Sequence, residues 1–102
     1  MKRTVVRYKA KPEKADENAR LIGKVFEELQ AKSPDNVRYL ALRLADGTFL
    51  HFSISDTADN VSPITKLDAF RAFRGGVEER AIEAPQQSEA TIIGNYRMLD
   101  ER

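Results

Sequence analysis

The sequence predicts an α+β fold whose elements run strand, helix, strand, strand, helix, strand, and three observations carry that prediction. "RTVVRYKA" near the start and the two runs within "VRYLALRLADGTFLHFSIS" alternate with the period of a pleated strand. "EKADENARLIGKVFEELQAK" and "ITKLDAFRAFRGGVEERAIEAP" instead repeat their apolar residues at three- and four-residue spacing, as a helix with one face to bury requires. Asp46-Gly47 between the two middle runs is a hairpin signal and makes them antiparallel neighbours.

The first strand, residues 3 to 10, passes into a helix at Pro12, a position that tolerates a missing N–H. Ala15, Ala19, Ile22, Val25, Phe26 and Leu29 form the buried stripe of that helix, which stops near Ser33-Pro34-Asp35. In the hairpin, Leu40, Leu42 and Leu44 share one face, and Leu50, Phe52 and Ile54 share one face. A core needs both sets on the same side. A two-residue loop would pair Leu42 with His51 and mix them. A three-residue loop, Ala45-Asp46-Gly47 with Gly47 left-handed, pairs Leu42 with Leu50. The leucines are then expected under the helices, with His51 pointing away beside Tyr39, Arg43, Phe49 and Ser53. In the second helix Leu67, Phe70, Phe73 and Val77 follow helical spacing, and Gly75-Gly76 is expected to kink or break it before it resumes toward Ile82. The pair reads as a helix terminus or as a close backbone approach to a ligand. "EATIIGNYRML" is expected to be the fourth strand.

This order is the split βαβ, ferredoxin-like arrangement, with both helices on one face of a four-stranded antiparallel sheet. It leaves the other face uncovered. On the register above, that face carries Tyr39, Ala41, Phe49 and His51, apolar enough that something should cover it.

Composition narrows the function classes. At 102 residues the chain supports one core, so residues 1–102 read as one domain. The 17 basic and 16 acidic residues are interspersed, giving no field to steer nucleic acid or an acidic membrane. Without cysteine there is no disulfide framework, thiolate nucleophile or zinc cluster, and no apolar run reaches membrane length. A soluble cytoplasmic protein is expected. No dinucleotide-binding glycine pattern or visible metal cluster is present either, so no cofactor is expected.

"VVRYKAKPEKADENARLIGKVFEEL", "DNVRYLALRLADGTFLHF" and "LDAFRAFRGGVEERAIEAP…IIGNYRML" together resemble the dimeric α/β barrel superfamily, especially small proteins of the antibiotic biosynthesis monooxygenase type. The resemblance covers nearly the whole chain. Its motifs, Lys-Pro-x-Lys-Ala-Asp at the first helix and Phe-x-x-Phe in the second, describe fold positions rather than catalytic ones. It implies two sheets packed across a two-fold axis as a homodimer, which would cover the open face. Members include cofactor-independent oxygenases of polycyclic quinols, haem-degrading enzymes, small isomerases and proteins without known activity, so the resemblance speaks to fold before function. The haem-degrading branch uses a tryptophan, an asparagine and a helix-borne histidine; this chain has no tryptophan, and His51 lies on a strand, which argues against haem.

His51, the only histidine, is the candidate catalytic base toward a phenol, and Tyr8 a second proton-handling candidate. Phe52, Phe70 and Phe73 are the candidate ligand-binding residues for a small aromatic molecule, with core packing as the plainer role of the helical pair. The resulting expectation is a cofactor-independent monooxygenase of a small aromatic or quinol. The alternative is a non-catalytic dimeric ligand-binding or interaction module. RNA recognition uses the same element order, but Phe49 and Phe52 fall on opposite faces here and the charge is near neutral, so no nucleic-acid partner is expected.

Overall fold

A computed structural model describes residues 1–59 and 61–99. Its elements are β1 (Lys2–Ala10), a 3₁₀ turn at Pro12–Lys14, α1 (Ala15–Lys32), β2 (Val37–Arg43), β3 (Thr48–Ser55), a second 3₁₀ turn at Pro63–Lys66, α2 (Asp68–Gly75), the single turn α3 (Val77–Arg80) and β4 (Ala81–Glu89). The four strands form one antiparallel sheet in the order β2-β3-β1-β4. β3 thus sits between β1 and β2, the split βαβ arrangement that the element order predicts.

Pro12 sits in the 3₁₀ turn that leads into α1, and the helix ends at Ser33, whose left-handed backbone (φ 47°) lets its N–H reach the Leu29 carbonyl at 2.7 Å. Ala15, Ile22 and Val25 are buried, with Ala19, Phe26 and Leu29 packed against the same core. The Glu28 carboxylate accepts from the backbone N–H of Ala69 at 2.9 Å, capping α2 from α1 and tying the two helices together.

The hairpin has the expected register and the opposite facing. Leu42 pairs with Leu50, Leu40 with Phe52 and Ala41 with His51, and Gly47 has φ +90° at the end of a three-residue loop. The leucine side, however, is the side away from the helices: Leu40, Leu42 and Leu44 are 45, 47 and 41 % exposed. Tyr8 and His51 are buried instead, packed against Phe73 of α2, with Phe49 buried and stacked on Tyr8, while Phe26 of α1 stacks on Tyr39 at 4.7 Å. The expectation that His51 points to the uncovered face is therefore wrong. Parity correctly groups the residues of a face, but it does not say which group the helices cover.

The end of the chain needs a second correction. α2 does break at the glycine pair, but α3 is one turn long and Ile82 already belongs to β4. The fourth strand is "AIEAPQQSE", residues 81–89. "TIIGNYRML" lies outside the sheet, with Ile93 fully exposed. Pro85 hides the strand from a periodicity reading. It is tolerated because β4 is an edge strand and because the register steps from Arg7–Gln86 to Lys9–Glu83, leaving an extra β4 residue in a bulge where Pro85 falls.

Candidate functional site

Between the covered sheet face and the α2–α3 segment lies a cavity of about 880 Å³, lined by Val6, Tyr8, Tyr39, His51, Phe70 and Phe73 among others. That size is in the range of small-molecule sites. Strand alternation places Tyr8 on β1 and Tyr39 and His51 on the β2–β3 hairpin on one side of the sheet, and the α2 spacing of Phe70 and Phe73 sets both rings along the cavity. Phe52, one residue from His51, is on the opposite face with Leu40 and Val5 and does not line it.

A continuous chain of polar groups runs through this wall. Tyr8 Oη lies 2.9 Å from His51 Nε2, and Tyr39 Oη bonds His51 Nδ1. Behind Tyr8, Asn18 donates from Nδ2 to the phenol oxygen at 2.8 Å, and Arg80 donates from Nε to Asn18 Oδ1 at 3.0 Å. Arg80 also donates to the Phe73 carbonyl and lies over the Phe73 ring, 5.4 Å from its centroid. Asn18 and Arg80 are both buried, and among the described residues no carboxylate pairs with this guanidinium. His51 stacks between Tyr8 (5.4 Å) and Tyr39 (5.8 Å).

Burial governs the titration of all three rings. It holds the His51 pKa down at about 4, so the imidazole is neutral at physiological pH. It pushes the Tyr8 phenol up to about 12, partly offset by the Asn18 hydrogen bond and the Arg80 charge. Tyr39 is raised above the ordinary phenol range by burial and by neighbouring Tyr8. The wall therefore presents uncharged hydrogen-bonding groups backed by one buried cation. No cluster of three or more His, Cys, Asp or Glu placed to hold a metal ion occurs among the described residues, and no helix among them is long and apolar enough to cross a membrane.

Of the five residues singled out from the sequence, the structure brings four, Tyr8, His51, Phe70 and Phe73, to one cavity. Asn18, Tyr39 and Arg80 were not singled out as site residues. Asn18 and Arg80 do carry a signal: each is a polar residue at an apolar helical spacing, Asn18 within Ala15, Ile22 and Val25, and Arg80 after Phe73 and Val77.

No protein-family model matches the chain, and no curated protein matches it in sequence. Solved structures do. A candidate antibiotic biosynthesis monooxygenase from Nitrosomonas europaea aligns over 92 % of this chain and 100 % of its own, with TM-score 0.74 and 18 % identity. A second, from Bacteroides thetaiotaomicron, covers 99 % of this chain and 95 % of its own, with TM-score 0.77 and 13 % identity. SnoaB, a cofactor-independent oxygenase from Streptomyces nogalater, covers 93 % and 95 %, with TM-score 0.66 and 13 % identity. The chain thus has the ferredoxin-like α+β fold of the antibiotic biosynthesis monooxygenase-like proteins, and at these identities the likeness is one of fold.

Proposed function

We propose that the cavity binds a small aromatic or quinol-type molecule and that the chain oxidises it with molecular oxygen, without a cofactor. The observation that carries this reading is the aromatic cavity with the Tyr39–His51–Tyr8 chain in its wall. SnoaB, of like fold, is named a cofactor-independent oxygenase, which supports the reaction class. For an anthrone-type substrate the reaction balances with oxygen alone. The ring CH₂ loses both hydrogens, one oxygen atom becomes its carbonyl, and the other leaves with those hydrogens as water. A buried imidazole is a weak base. Proton loss therefore draws on the acidity of the substrate itself, while the Tyr39–His51–Tyr8 chain stabilises the developing oxyanion through a hydrogen bond from the cavity wall.

The same low basicity favours a second reading, a ligand-binding module without turnover. We further propose that two copies associate through the exposed leucine face, where Leu40, Leu42 and Leu44 form an apolar surface with Leu50 and Phe52.

Oxygen uptake with a panel of anthrones and hydroxylated naphthalenes, with no metal, flavin or haem added, tests the proposal. Uptake above the spontaneous rate is expected, falling about a hundredfold in His51→Ala, which interrupts the chain that stabilises the oxyanion. Uptake that needs an added cofactor would overturn cofactor independence. Saturable binding without uptake would leave the module.

A further inference from the structure

The buried chain of hydrogen bonds has a direction, and Arg80 sets it. A guanidinium donates and never accepts, so the Asn18 atom facing it is Oδ1 and the one facing Tyr8 is the donor Nδ2. Tyr8 oxygen thus accepts from Asn18. Its own proton sits on a residue only 2 % exposed, and among the described residues His51 Nε2 is the acceptor within reach. With Nε2 accepting, the neutral ring carries its proton on Nδ1 and donates it to the Tyr39 oxygen. The opposite direction would leave the Tyr8 proton buried without an acceptor, a costly arrangement. The Tyr39 proton is then unclaimed by the chain. Tyr39 is only partly buried and lines the cavity.

The structure also shows what seats the guanidinium. A Cβ added at Gly76 would lie 2.7 Å from Arg80 Nη1, so the break between α2 and α3 makes room for Arg80. Gly76 thus marks a close approach to a side chain, while Gly75 lines the cavity.

We infer that Arg80 and Asn18 are positioning residues that orient the relay Asn18→Tyr8→His51→Tyr39, so that Tyr39 donates a hydrogen bond into the cavity and selects ligands with an acceptor oxygen, a ring ketone or an enolate. The ligand class rests on the aromatic-ligand reading above; the direction of the relay does not.

The chain's single histidine makes the test direct, because its ring nitrogens alone produce the imidazole signals in a long-range ¹H–¹⁵N spectrum. At neutral pH the wild-type spectrum is expected to show Nδ1 protonated and Nε2 bare. Asn18→Asp keeps the shape and gives Arg80 an anionic partner, but its carboxylate accepts from Tyr8. His51 should then switch to the Nε2–H form, with Tyr39 donating back to Nδ1. Binding follows the same switch. Wild type should prefer 1-tetralone over tetralin, the hydrocarbon of the same ring system, by about tenfold, and Asn18→Asp should lose that preference. Nε2–H in the wild-type protein would overturn the inference, as would an unchanged tautomer in folded Asn18→Asp. The wild-type spectrum needs no variant, so it decides the relay direction even if Asn18→Asp does not fold. If neither probe binds while the tautomer is as expected, the aromatic-ligand reading and the acceptor-oxygen class fall and the relay direction stands.

Discussion

On the side of the sheet that the helices cover stand Tyr8, Tyr39, Phe49 and His51; on the other stand Leu40, Leu42, Leu50 and Phe52. The second set is the more hydrophobic, yet it is the one left open. The helices carry Asn18 and Arg80 within their inward stripes, and buried polar groups need partners. Tyr8 supplies the partner for Asn18 and His51 the partner for Tyr8, while both rings still contribute apolar area against Phe73. The leucine face could fill the same volume but could not bond Asn18. Polar complementarity, rather than total hydrophobicity, matches these helices to their side of the sheet.

Substitutions of one kind on the two faces should therefore fail in different ways. Phe49→Ala removes a ring that is 2 % exposed and stacked on Tyr8, and should cost about 3–5 kcal/mol in denaturant unfolding at every protein concentration. Leu42→Asp should change monomer stability by about 0.5 kcal/mol or less and should instead weaken self-association in sedimentation equilibrium. The reverse pattern would exchange the faces.

A smaller effect, about 3 kcal/mol, is expected from pH. The unfolded histidine titrates near 6.5 and the folded one near 4, so below pH 6.5 the unfolded state binds the additional proton. This contribution is complete above pH 6.5 and is lost as pH falls toward 4. Urea unfolding across that window should show it, and His51→Gln should flatten it. Smaller still is the contrast within the glycine pair. Gly76→Ala should destabilise by about 1–3 kcal/mol by displacing Arg80. Gly75→Ala meets no atom within 4 Å and should be neutral or stabilising by about 0.5–1 kcal/mol.

Much of this architecture is legible from local rules. The α1 stripe, the left-handed Gly47 and the Leu42–Leu50 pairing follow from residues close in sequence. The side on which the helices dock does not, because it depends on Asn18 meeting Tyr8 and Arg80 reaching Asn18, contacts spanning 10 and 62 residues. β4 escaped for a related reason: its Pro85 is acceptable only at a bulged edge, and the edge is a property of the assembled sheet. Tyr8 and His51 could be singled out as chemistry-bearing residues, but their shared hydrogen bond, and Tyr39 completing it, come from strand pairing.

The whole site depends on the placement of His51 on the covered face, and titrating its ring by NMR tests that placement most directly. The ring signals should stay constant from pH 8 down to about pH 5.5 and move only as pH approaches 4, because burial disfavours the imidazolium. A midpoint near 6.5, the value of a solvated imidazole, would put His51 on the open face and contradict the site built around it.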